Sequence, residues 1–142
     1  MSTLQHRARA MNAYQAASTT VTPAMAIVML YDGAMKFLSL AKVAIAEGRI
    51  EDRCHLVNKA HAVVHGLQCQ LDFAAGGDIA RILDRYYDYV LHRMMQINIK
   101  NDPSICEELI DRLREMRESW ATLARGSSTT PTVSVQDARP PA

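Results

Sequence analysis

Three residues in one predicted helix have the types and spacing to hold a metal ion. His61, His65 and Cys69 fall at i, i+4 and i+8. Imidazole and thiolate are zinc ligands, and four-residue steps stack them on one face of a helix. A closed structural site needs a fourth ligand, however, and no acidic one is fixed nearby in sequence. We therefore expect a satisfied core-edge histidine and a small buried cysteine, with no metal and no cofactor. Cys54-His55 and Cys106 are isolated from one another, so a Cys–His nucleophilic pair would depend on tertiary placement. Asp84, Arg85, Asp88 and Arg93 read as the solvated face of a helix rather than as a catalytic dyad. There is no G-x-x-x-x-G-K-[ST], no G-x-G-x-x-G and no H-E-x-x-H. Nor is there a Glu-x-x-His of the kind that builds metal sites inside helical bundles. Nothing in the chain reads as an active site, and the expectation is a protein that is not an enzyme.

The elements that carry these residues are helical. Thr22-Pro23 supplies an N-cap and a first-turn proline, and Gly48 a stop, so the first helix is predicted over 23–47. A second runs from about Ile50 to Leu71 and stops before Ala74-Ala75-Gly76-Gly77. The third is predicted from Asp78 to about Lys100. Asp102-Pro103 opens the fourth, which ends near Leu123 to Arg125. The fourth is the clearest: Ile105, Leu109, Leu113, Met116, Trp120 and Leu123 step by 4, 4, 3, 4 and 3. Ile79, Ile82 or Leu83, Tyr86, Val90, Met94 and Ile97 form the stripe of the third. Ile50, Cys54, Val57, Val64, Leu67 and Leu71 form that of the second. Helices joined by short connections make an all-α, antiparallel four-helix bundle over residues 23–125. Residues 126–142 are small, polar and proline-containing and read as a disordered tail. Residues 1–22 hold a short amphipathic piece, Leu4, Ala8, Met11 and Tyr14, too short to be a stable helix alone. We read it as a cap that must dock on something.

Composition narrows the function. The 142 residues are 49% hydrophobic and 22% charged, which excludes a wholly disordered chain. Sixteen basic against 15 acidic residues give a net charge of +1, so nucleic acid is a poor partner. The longest apolar run, Ala24 to Leu30, is seven residues against the ~20 a bilayer span needs, and membrane insertion is not expected. Met1 to Ala10 lacks the apolar core of a signal peptide. Three cysteines without a C-x-x-C point to a reducing, cytoplasmic setting. Eight methionines, and five tyrosines against two phenylalanines, suit a protein-binding surface.

That surface is expected on the first helix, which has too much apolar area. One face collects Ala26, Ile27, Leu30, Ala34, Phe37, Leu38, Ala41 and Ile45, enough for the core. The opposite face holds Met25, Val28, Met29, Met35, Leu40 and Val43, relieved only by Asp32, Lys36 and Ser39. A bundle helix normally has one apolar stripe and a polar back. Either this helix is simply the most buried, or its back binds an amphipathic partner helix, which the methionines would suit. Homodimerisation of a structural or signalling bundle through the same face is the other reading.

One family carries matching residues in order along the chain. They are Asn12-Ala13-Tyr14, Thr22-Pro23, Val28-Met29-Leu30-Tyr31-Asp32-Gly33-Ala34, Asn58-Lys59-Ala60, Gln68 with Leu71-Asp72-Phe73, and Gly76-Gly77-Asp78-Ile79-Ala80. Tyr87-Asp88-Tyr89-Val90-Leu91-His92-Arg93-Met94, Asn98, Asn101-Asp102-Pro103, Glu107-Glu108 and Trp120 complete the series. In these, residues 11–123 resemble the FliS-type flagellar secretion chaperones. The resemblance implies a cytoplasmic, non-enzymatic export chaperone built as a four-helix bundle. It implies that the partner is the helix-forming C-terminal segment of flagellin, kept from premature polymerisation and delivered to the flagellar type III export apparatus. The loaded complex would dock on the export gate, and a client-free homodimer is possible. The segment around Tyr14 would cap the site and rearrange. The residues expected to meet the partner are therefore Met11, Tyr14, Met25, Val28, Met29, Asp32 and Met35.

Overall fold

The computed structural model of the chain describes residues 22–126. The expected cap segment and tail lie outside them, apart from Thr22 and Gly126. Four helices follow one another: α1 Pro23–Ala46, α2 Ile50–Cys69, α3 Phe73–Lys100 and α4 Pro103–Ala124. No strand occurs among the described residues.

Each start has a local cause. The Thr22 hydroxyl accepts the Met25 amide at 3.2 Å, with Pro23 filling the first turn where no amide is needed. Asp102 does the same for α4, accepting from the amide and hydroxyl of Ser104 at 2.9 and 2.7 Å. α1 ends at Gly48, whose φ of 69° is the left-handed conformation glycine adopts without cost. Asn101, at φ 52° and ψ 43°, ends α3 in the same way.

α3 corrects the sequence reading. It begins at Phe73, ahead of the glycine pair, because Asp72 caps a first turn by accepting from the Ala75 amide at 2.9 Å. The irregularity falls on Gly77 alone, at φ 55° and ψ −129°, and kinks the helix instead of preceding it. A glycine pair reads as a break in a pattern, but one glycine suffices to absorb a bend and the cap rescues the turn before it.

Cross-helix bonds fix the directions. Asp32 meets Arg117 and Lys42 meets Glu107, so α1 and α4 run antiparallel. Gln68 reaches Asp84 and Asp88 while Arg53 reaches Asn101, which makes α2 and α3 antiparallel. Tyr86 with Arg112, and Arg93 with Glu108, do the same for α3 and α4. The extensive seams are α1–α2 and α1–α4, with α2–α3 and α3–α4 closing the square. The bundle is therefore the expected antiparallel one, with α1 its most engaged helix.

The core is layered around aromatics. Trp120, Tyr31 and Tyr87 are wholly buried, and the Tyr31 and Tyr87 hydroxyls share a 2.8 Å hydrogen bond across the diagonal of the square. Burial, then the neighbouring Tyr87 and Tyr86, raises the Tyr31 phenol well above its ordinary value, while the Trp120 hydrogen bond works the other way. A neutral phenol at this depth is stable only because its hydroxyl is paired. All six stripe residues of α4 are buried as the spacing predicts. Two stripe residues of α2 depart from the expectation: Ile50 lies exposed at the helix start and Cys54 is only half-buried.

α1 is also the helix long and apolar enough, by length and composition, to cross a bilayer. Its inner face is instead committed to the bundle, where Ala34, Leu38, Ala41 and Ala44 have no exposed surface.

Candidate functional site

The inner face of α1 mixes small and large residues. Ala24, Ala34, Ala41 and Ala44 let α2 and α4 approach closely, with Tyr31 and Leu38 filling between them. The outer face of the helix is left in the open. Met25, Met29, Leu40 and Val43 recur along it at helical spacing, with Met29 58% exposed. Leu30 stands beside them, also exposed. Polar groups interrupt the ridge in the middle. Asp32 accepts from Arg117 at 2.9 and 3.3 Å, a two-pronged clamp that pins α1 to α4, and Lys36 projects to solvent.

Grooves flank the lower half of the ridge. On the α4 side, Ser39, Lys42, Val43, Pro103, Glu107 and Ile110 line a depression of about 730 Å³. On the α2 side, Leu40, Arg49, Asp52, His55, Leu56 and Lys59 line one of about 580 Å³. Lys42–Glu107 at 2.6 Å and Arg49–Asp52 at 2.6 Å edge them with charge. The outer side of α1 is thus an apolar ridge between charged-rimmed troughs.

The expected partner-contacting residues divide. Met25 and Met29 are on the ridge as predicted. Asp32 is exposed at its centre, with Arg117 as its partner. Met35 is half-buried and packs against the core. Val28 corrects the reading: it is 2% exposed and belongs to the core. Met11 and Tyr14 lie outside the described residues. Leu30 errs the other way, placed in the core by sequence but exposed in the fold. The cause is common to both. A helix wedged between two neighbours buries an arc set by where they pack, and here that arc is turned toward Ala24 and Val28 and away from Leu30. Alanine spacing was the signal that could have set the centre.

Elsewhere the chemistry-bearing residues are scaffold or open surface. His61 and His65 stack with ring centres 6.1 Å apart, and the Cys69 thiol lies 3.5 Å from His65 Nε2. Burial, then the nearby His65, lowers the His61 pKa. The core-edge reading suits His61, but Cys69 is exposed rather than buried. No group of three or more His, Cys, Asp or Glu side chains that could hold a metal gathers among the described residues. Asp84 and Asp88 accept from Gln68 at 3.1 and 2.6 Å and so join α3 to α2. Arg93 joins α3 to α4 through Glu108 at 2.8 Å. Burial pushes the Cys106 thiol up to about 11, which leaves it unreactive at neutral pH.

Comparison with known proteins decides the family. The profile described as "Flagellar protein FliS" matches residues 6–127. The chain belongs to the FliS family. A flagellar secretion chaperone FliS of Salmonella typhimurium is 31% identical over 123 residues, covering 86% of this chain and 91% of the relative. That of Vibrio cholerae is 32% identical over 102 residues, 72% of this chain and 75% of the relative. The flagellar secretion chaperone FliSB of Pseudomonas aeruginosa is 32% identical over 117 residues, 79% of this chain and 93% of the relative. The FliS-like motifs quoted from the sequence now have structural work to explain them. Asp72 and Asp102 cap helices, Tyr31, Tyr87 and Trp120 fill the core, and Asn101 ends α3 and accepts from Arg53 at 2.6 Å. Met29 and Leu30 are apolar motif residues left bare on α1.

Proposed function

We propose that this FliS-family chain is a non-enzymatic export chaperone of the cytosol whose client is the C-terminal segment of flagellin. The observation that carries the reading is the exposed ridge of Met25, Met29, Leu30, Leu40 and Val43, which leaves the most engaged helix of the bundle apolar on its free side. A subunit that polymerises through an amphipathic helix exposes that helix while it waits. Laying the helix's apolar stripe along α1 covers it, prevents premature assembly and leaves the remainder of the client extended for export. Delivery follows when the loaded complex docks on the export gate. Met11 and Tyr14 complete the seat, since their amphipathic spacing gives the N-terminal segment an apolar side to lay on the same ridge. Methionine suits a surface of this kind because its flexible thioether adapts to the partner's side chains.

Titration calorimetry of the full chain against a flagellin C-terminal peptide tests the reading. Binding is expected, with Met29→Lys weakening it by more than about tenfold, or 1.4 kcal/mol, and leaving helical circular dichroism intact. Retained affinity in a folded Met29→Lys variant would move the seat off α1. A client-free homodimer through the same face is the companion reading. Light scattering with and without the peptide separates them: a dimer that the peptide dissolves shares the ridge, and a stable dimer indifferent to peptide replaces the chaperone reading.

A further inference from the structure

The methionines are not equivalent, and the ridge holds the vulnerable ones. Six of the eight lie among the described residues. Met94 and Met116 are buried, at 0 and 2% exposure, and Met35 is half-buried against the core. Met25, Met29 and Met95 are exposed, at 39, 58 and 54%. Met25 and Met29 are one turn apart on the outer face of α1, whereas Met95 lies on α3. α3 has no extensive seam with α1, so Met95 is placed apart from the ridge.

We propose that Met25 and Met29 are modification sites for two-electron oxygen donors of the peroxide class, and that their oxidation closes the docking ridge. The thioether Sδ attacks one oxygen of hydrogen peroxide. An S–O bond forms, the O–O bond breaks, and the departing hydroxide takes the proton of the new S–OH and leaves as water, sulfur being oxidised by two electrons and peroxide reduced. The product sulfoxide is polar and chiral where the thioether was apolar. On a solvent-facing ridge this costs the fold little, because neither side chain belongs to the buried core. For a partner the same change is severe, since a strong hydrogen-bond acceptor would have to be desolvated against an apolar stripe. Thiol-dependent sulfoxide reduction restores the ridge, so the change is reversible. The consequence for binding rests on the docking reading above, whereas the choice of sites rests on exposure alone.

The test treats the full chain with hydrogen peroxide, maps sulfoxides by tandem mass spectrometry and measures affinity for the flagellin C-terminal peptide before and after. Met25, Met29 and Met95 are expected to oxidise ahead of Met94 and Met116. Affinity should fall by about tenfold or more while helical circular dichroism is retained. Met25→Leu/Met29→Leu keeps the volume and the apolar character and should hold its affinity through the same treatment. Met95→Leu should lose affinity on oxidation as the unmodified chain does. Even oxidation across all six sites would overturn the site assignment. Unchanged affinity in chain oxidised at Met25 and Met29, or loss that persists in the double leucine variant, would overturn the closing of the ridge. If the untreated chain does not bind the peptide, the docking reading fails and the consequence with it, while the sulfoxide map still decides the sites.

Discussion

α1 and α4 are partners along one seam, yet they are built on opposite plans. α4 carries one apolar stripe, all of it buried, and turns Asp111, Arg114, Glu115 and Glu118 to water. α1 buries a stripe of comparable length but turns Met25, Met29, Leu30, Leu40 and Val43 outward as well. A helix needs only one apolar face to fold into a bundle. What exceeds that need is not required by the fold, and the excess on α1 is the feature on which the proposed function rests. The difference teaches that side chains of one chemical kind serve two ends here. Those turned inward hold the fold together, and those turned outward are the ones on which the proposed docking of a client rests.

That division is open to breaking at several points. The largest effect is expected on α4: Trp120→Ala removes a fully buried indole from the centre of the core and should cost about 3–5 kcal/mol of unfolding free energy in a denaturant titration. A small loss would mean the core closes around the gap and that α4 is less central than its burial implies. On the inner face of α1, Tyr31→Phe deletes the 2.8 Å hydroxyl bond to Tyr87. About 0.5–1.5 kcal/mol should be lost, with little change in client affinity beyond that of a less stable fold. Affinity falling further than stability would blur the line between the two faces.

An alkaline experiment sharpens the α4 side. Cys106 keeps its proton up to about pH 11 when folded, against 9.0 ordinarily, because it is buried. The unfolded chain therefore releases that proton first as pH rises. Stability is untouched below about pH 9 and declines between there and 11. Cys106→Ala should flatten that decline relative to the parent in melting-temperature scans. An identical slope would assign it to other groups. On the outer face of α1 the stability effect should nearly vanish: Met29→Lys is expected to change unfolding free energy by no more than about 0.5 kcal/mol. Its loss would appear only with the client present. A destabilised Met29→Lys chain would remove the contrast between the two helices.

Much of the scaffold could be read in advance because its rules are local. Caps, prolines and four-residue spacing placed α1, α2 and α4 to within a residue or two, and the α4 stripe held at every position. The register of α1 could not be read so well. Val28 and Leu30 exchanged roles because which arc a helix buries depends on how closely two neighbours approach, and that is set by Ala34, Ala41 and Ala44 together with the partner helices. The start of α3 was missed for a related reason, since a cap at Asp72 competes with a glycine pair and only the folded chain shows which prevails. Buried Met94, by contrast, was read correctly from the α3 stripe, which leaves the adjacent Met95 facing out. The excess apolar area of α1 was likewise visible from composition, and it is the feature on which the candidate site rests.

The wiring of the square has a kinetic consequence. Three of its seams join helices linked by two or three residues, so those contacts form between neighbours along the chain. The α1–α4 seam joins the first described helix to the last: Asp32 and Arg117 are 85 positions apart. Bringing them together means closing a loop through the rest of the bundle, whose entropic cost falls after the short hairpins are in place. The seam beneath the ridge is thus expected to form last and to open early. Asp32→Asn is expected to quicken unfolding while scarcely slowing folding in stopped-flow chevrons. Equal effects on both arms would put the seam in the folding nucleus instead.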